Sequence, residues 1–114
     1  MPPLLFAGAR VSDFAKARDW YARLLESEPA FEPHETEAVW EIAPDRYVYV
    51  QDEGGRPGGA VITILVDDLD ARVERLSGAG IDPDERETYD SGARKAIYRD
   101  ADGNELSFGE APGA

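Results

Sequence analysis

Val11-Ser12-Asp13-Phe14 near the start of the chain returns as Val66-Asp67-Asp68-Leu69 near its middle, 55 positions later in a sequence of 114 residues. Each copy closes an apolar run, supplies a helix N-cap and opens an amphipathic stretch. A unit of this length that occurs only twice is not a solenoid, which needs about three or more stacked repeats. The spacing instead predicts two similar modules related by pseudo-symmetry, with a cleft whose lining sets the function.

Working outward from the two signals gives the same element order twice. In the first module Leu4–Ala9 reads as a strand, and a helix capped by Ser12 or Asp13 runs to about Leu25 with Phe14, Ala17, Tyr21, Leu24 and Leu25 as its buried stripe. Pro29 is the expected stop. A short polar strand starts at Phe31, and strands follow at Ala38–Ala43 and Arg46–Gln51, joined by a turn at Pro44-Asp45. In the second module Ala60–Val66 is a strand, Asp67 or Asp68 caps a helix with Leu69, Val73 and Leu76 inward, and Gly80 ends it. Strands are expected near Glu85–Tyr89, Ala93–Arg99 and Glu105–Gly109, with Asp100-Ala101-Asp102-Gly103-Asn104 as a hairpin turn. The fold class is α+β, two βαβββ modules over about 4–53 and 60–110 in one domain. The run Gly54-Gly55-Arg56-Pro57-Gly58-Gly59 joins strand to strand, so it reads as a linker and not as a phosphate cradle.

Strand alternation sorts the side chains. Leu5, Ala7, Ala9, Val48, Val50, Ile62, Ile64, Leu106 and Phe108 form a uniformly apolar set suited to packing under helices. The opposite faces carry Phe6, Gly8, Tyr47, Tyr49 and Gln51 in one module and Val61, Thr63, Leu65, Glu105 and Ser107 in the other. A surface both aromatic and polar suits a ligand cleft, and equally an ordinary packed interface.

Composition narrows the chemistry. With no cysteine there is no disulfide, thiolate zinc site or cysteine nucleophile, in keeping with a reducing cytoplasm. The net charge of −12 repels phosphate backbones, so nucleic acid is not an expected partner, whereas a cationic small molecule is compatible. No apolar run approaches the roughly 20 residues of a membrane span, and the first residues read as a strand and not as a signal peptide. The one histidine, His34, stands alone in the sequence and reads as a surface or structural residue. Placing Gly103 at the invariant glycine of a calcium loop puts Tyr98 and Gly109 where carboxylates are required, which removes that reading. There is no G-x-S-x-G elbow. Glu41 and Glu105 are the carboxylates that a metal-free acid–base mechanism would have to use.

These pieces together resemble the vicinal-oxygen-chelate superfamily of glyoxalase I, extradiol dioxygenases, fosfomycin-resistance enzymes and bleomycin-resistance proteins. The resemblance rests on Arg10-Val11-Ser12-Asp13-Phe14, Asp19-Trp20-Tyr21 and Leu24-Leu25, on Val66-Asp67-Asp68-Leu69-Asp70 and Gly80-Ile81, and on Asp100-Ala101-Asp102-Gly103-Asn104-Glu105-Leu106, where Ala101 stands in place of the usual proline. It implies curved mixed sheets forming a cleft, often within a homodimer. It also implies that a metalloenzyme of the family would take its ligands from the first and last strand of each module. Counted from the shared motifs, those positions are Phe6, Tyr49, Val61 and Ser107, the second open by one or two residues. Phe6 and Val61 carry no donor atom, and neither serine nor tyrosine is a usual ligand here. The expectation is therefore a metal-free protein with no cofactor and no assigned catalytic residue, resembling the bleomycin-resistance branch. It would bind a small aromatic or cationic ligand through Phe6, Tyr47, Tyr49, Val61, Thr63, Glu105 and Ser107. Two alternatives stay open: a metal-dependent lyase or dioxygenase with a shifted site drawing on Gln51 or Glu105, and a non-catalytic interaction module.

Overall fold

A computed structural model describes residues 3–113. The elements are β1 (Leu5–Arg10), α1 (Phe14–Leu24), β2 (Phe31–His34), β3 (Glu37–Ala43), β4 (Arg46–Gln51), β5 (Val61–Leu65), α2 (Leu69–Gly78), β6 (Glu85–Thr88), β7 (Arg94–Arg99) and β8 (Glu105–Glu110). They form two four-stranded mixed sheets, ordered β1-β4-β3-β2 and β5-β8-β7-β6. The repeated order is the βαβββ pattern expected from the duplicated motif. No helix among the described residues is long and apolar enough to cross a membrane.

The chain divides into two compact units. One runs up to Ala60 and takes in the turn Asp100–Asn104; the other holds Val61–Arg99 and the segment from Glu105 onward. In the first unit β1 runs parallel to β4, and the remaining pairs are antiparallel. Asp13 caps α1, its carboxylate accepting from the Lys16 backbone N–H at 3.1 Å. Ala17, Tyr21 and Leu24 are the buried residues of α1, which packs against β4. Ala9, Ala38, Trp40, Val48 and Val50 complete this core. The helix stops close to the expected Leu25, well before Pro29. It ends after Leu24, where Glu26 adopts a left-handed φ of 57° and the Ser27 N–H bonds back to the Ala22 carbonyl.

The turn Asp100–Asn104 is a polar knot within the first unit. Asp100 accepts from the Tyr21 hydroxyl, the N–H groups of Asp102 and Asn104, and the Asn104 amide. Asp102 accepts from both the hydroxyl and the N–H of Ser12. The buried Asn104 side chain donates to the Arg10 carbonyl and accepts from the Ala60 N–H. The glycine run is correspondingly more than a spacer. Gly58 sits at φ +86°, donates to the Arg10 carbonyl, and lies where an added Cβ would meet the Asp102 carbonyl oxygen at 2.5 Å.

In the second unit β5 runs parallel to β8, and β8-β7-β6 pair antiparallel. Leu69, Val73 and Leu76 of α2 are buried, and α2 packs against β8. Asp68 is the N-cap residue, yet its carboxylate makes no capping bond. It binds Arg75 and Arg72, and the Arg75 hydrogen bond foremost holds it below the usual carboxylate range. Gly80, at φ +85°, follows the helix end as expected.

Candidate functional site

The parallel pairing of β1 with β4 sets Phe6 opposite Tyr47 and Gly8 opposite Tyr49. Side chains alternate across a strand, so these residues share the face of the first sheet opposite α1. Phe6 and Tyr47 stack at 4.5 Å between ring centroids with 11° between planes. Tyr49 meets Phe6 edge-on at 6.4 Å, and Phe31 of β2 meets Tyr47 edge-on at the same separation. Gly8 makes this possible, because a Cβ there would fall 2.3 Å from Cζ of Tyr49. Glu41 is the cross-strand partner of Tyr47 on β3, and its carboxylate raises the pKa of the Tyr47 hydroxyl. The result is an aromatic platform with one carboxylate at its edge. Phe6 and Phe31 remain 47% and 48% exposed, enough surface for a flat ligand to cover.

The second sheet repeats the register. Val61 faces Glu105, and Thr63 faces Ser107, on the side away from α2. Among the described residues Val61 and Leu65 are the most exposed large apolar side chains, at 72% and 69%. Ser107 is buried. Glu105 is ion-paired: Arg99, its partner across β7–β8, binds it at 2.9 Å and also binds Glu85. The seven residues singled out in the sequence thus fall on the two helix-free faces, three on the first sheet and four on the second.

Trp40 lies on the other face of the first sheet. It is fully buried on the α1 side, 6.2 Å from the Tyr21 ring, and donates to the Ser27 carbonyl at 2.9 Å. Phe31 was missed as a platform residue, although its place at the head of a polar strand was the available signal. A cavity of about 310 Å³ in the first unit, lined by Lys16, Asp19, Trp20, Arg23 and Asp102 among others, borders the polar knot. Ser12 already engages the Asp102 carboxylate, and Arg23 binds Asp19 at 3.3 Å, so its charges are largely satisfied.

The model of the Glyoxalase/Bleomycin resistance protein/Dioxygenase superfamily matches residues 4–108. The chain belongs to this superfamily. A solved glyoxalase/bleomycin resistance protein from Catenulispora acidiphila is 45% identical, with a TM-score of 0.92 over 97% of this chain and 100% of that one. TioX from Micromonospora sp. ML1 is 20% identical with a TM-score of 0.77, covering 96% of this chain and 98% of its own. Lactoylglutathione lyase from Agrobacterium tumefaciens is 16% identical with a TM-score of 0.77, covering 96% of each chain. These last two share the fold. No curated protein matches the chain.

The superfamily's enzymes use a divalent metal, and the residues at the corresponding positions do not fit one. Phe6 and Val61 offer no lone pair, Ser107 offers a neutral buried hydroxyl, and the Tyr49 ring lies across Gly8. The neighbouring carboxylate, Glu105, is held by Arg99. A divalent ion needs several converging oxygen or nitrogen donors, which this set lacks.

Proposed function

We propose that this superfamily member is a small-molecule-binding protein whose helix-free sheet faces each offer contacts to a flat aromatic or cationic ligand, without a metal and without transforming it. The observation that carries this reading is the Phe6–Tyr47 stack, parallel and half open to solvent, at the place where a metalloenzyme would begin its ligand set. An aromatic face attracts a second ring or a cation, each worth about 0.5–1.5 kcal/mol. Glu41 beside Tyr47, in a chain of net charge −12, favours positive ligands. On the second sheet Val61 supplies apolar contact, and Thr63 and Ser107 supply hydrogen bonds. Glu105 contributes through its ion pair and not as a free charge. We also propose a homodimer in the cytoplasm; the exposed Val61 and Leu65 support self-association, since apolar surface of this kind favours burial.

Titration of metal-stripped protein with bleomycin and with the planar cation ethidium, followed by intrinsic fluorescence, tests the reading. Saturable binding that Phe6→Ala and Tyr47→Ala each weaken supports it. Binding indifferent to both substitutions, or none at all, overturns it. Light scattering on the eluting protein tests the dimer.

A further inference from the structure

Folding gives the solitary histidine two carboxylate partners. His34 Nε2 lies 3.0 Å from Glu37 Oε1 and 2.6 Å from Glu53 Oε1, and the three donor atoms all fall within 4.8 Å of one another. They are the one such group of histidine and acidic side chains among the described residues. We propose that His34, Glu37 and Glu53 form a binding site for a divalent transition-metal ion, zinc foremost, on the first unit and apart from the aromatic platform.

The backbone builds this convergence. His34 pairs with Glu37 across the β2–β3 hairpin, whose two turn residues are Glu35 and Thr36. Glu37 pairs with Gln51 at the end of β4, and the Asp52 N–H donates to the Thr36 carbonyl at 2.9 Å. That bond pins the start of the segment carrying Glu53 against the hairpin turn. Three donors therefore come from the β2–β3 hairpin and from the segment just after β4, held together by strand register.

The donor chemistry matches. One imidazole nitrogen and two carboxylate oxygens suit zinc and its first-row neighbours and leave further positions to water. Zinc about 2.0–2.2 Å from each donor separates neighbouring donors by roughly 3.3 Å, so each carboxylate withdraws by less than about 1 Å. The side chains have that freedom, since His34 and Glu53 are 43% and 49% exposed. The other ring nitrogen is also placed. Nδ1 lies 3.3 Å from the Thr36 hydroxyl; with the proton on Nδ1, that N–H donates to Thr36 and Nε2 keeps its lone pair for the metal. Without metal, the same ring nitrogen bridges the two carboxylates by close approach alone. A divalent ion replaces that bridge with a charge better matched to two carboxylates in a strongly acidic chain.

His34 is the only histidine, so its ring-proton resonances report on one residue without assignment. The tag-free full-length protein, stripped of metal and titrated with zinc chloride at pH 7.5, should show those resonances shifting and saturating at one zinc per chain. His34→Ala should abolish the site, E37Q/E53Q should weaken it by roughly tenfold or more, and Thr36→Val should weaken it by about tenfold. Ring resonances that stay unmoved through a tenfold zinc excess overturn the proposal, and this measurement needs no variant. Zinc bound equally well by His34→Ala also overturns it. The aromatic probes of the preceding section are titrated without metal, so either reading can fail alone.

Discussion

The Tyr21 hydroxyl donates to Asp100 Oδ2 at 2.8 Å, joining the buried face of α1 to the turn Asp100–Asn104. Burial, and next the Asp100 charge, push the Tyr21 phenol well above its ordinary value of 10.0. Both effects keep the proton on the hydroxyl in the folded chain. Tyr21→Phe should therefore lower the unfolding free energy by about 1.5–3 kcal/mol, the range for a hydrogen bond to a charged group.

The same pair sets an alkaline limit. A folded-state pKa above the unfolded value means that the stabilisation is complete below about pH 10. It is lost as the pH rises further, because the unfolded chain gives up a proton that the folded chain retains. Urea midpoints should be flat from pH 7 to 9 and fall above pH 10, with a shallower fall in Tyr21→Phe. Parallel declines in the two proteins would remove Tyr21 from this role.

Asn104 is the second point at which this turn can be broken. Its buried amide donates to the Arg10 carbonyl and to Asp100, each at 2.8 Å, and accepts from the Ala60 N–H at 3.0 Å. Asn104→Ala strands these partners and should cost about 2–4 kcal/mol. Asn104→Asp should not rescue it, since a carboxylate there faces both Asp100 and a carbonyl oxygen. A loss below 0.5 kcal/mol in urea denaturation, a limit set by ordinary surface substitutions of about that size, would show that water replaces the amide.

The Asp-Gly-Asn motif was legible because a tight turn is written in adjacent residues, and the same holds for the Asp13 cap and for Gly80. Strand parity was legible too: alternation put Phe6, Tyr47 and Tyr49 on one face, and the register agrees. The side taken by Trp40 was not, because Val39 and Trp40 are adjacent, apolar and both buried, so β3 gives no contrast between its faces. The end of α1 was legible to within a residue, but the backbone device that stops it was not. Glu26 takes the left-handed conformation that a glycine would have announced. His34 looked solitary because Glu53 lies beyond two further strands, and only the closed hairpin brings them together. Arg99 silenced Glu105 through a cross-strand pairing that depends on β7–β8 register.

Gly8 offers a direct test of the platform. The Cβ of Gly8→Ala would collide with the far end of the Tyr49 ring, which can swing aside without moving the backbone. The fold should survive with a loss of about 0.5–1.5 kcal/mol, the cost of a displaced rotamer. The aromatic probe should lose roughly 3–10-fold in affinity, the worth of one misplaced ring. Near-ultraviolet circular dichroism should report the moved tyrosine. Unchanged probe affinity together with a changed tyrosine signal would take Tyr49 out of the binding surface.

Tyr98 makes the opposite prediction. Its ring is fully buried on β7 and meets Phe108 edge-on at 5.9 Å, while its hydroxyl has no hydrogen-bond partner among the described residues. Burial raises its pKa, as expected for a phenol withdrawn from water. Taking a hydroxyl out of water without a partner is unfavourable, and Tyr98→Phe removes that penalty while keeping the ring. The variant should be as stable as the parent or more so, by up to about 1 kcal/mol. Phe108→Ala, which removes the ring it packs against, should cost about 3–5 kcal/mol. The contrast separates packing from polarity in this core. If Tyr98→Phe instead destabilises by more than about 1 kcal/mol, the hydroxyl has a buried water as its partner, and the second core is held by polarity as well as by apolar contact.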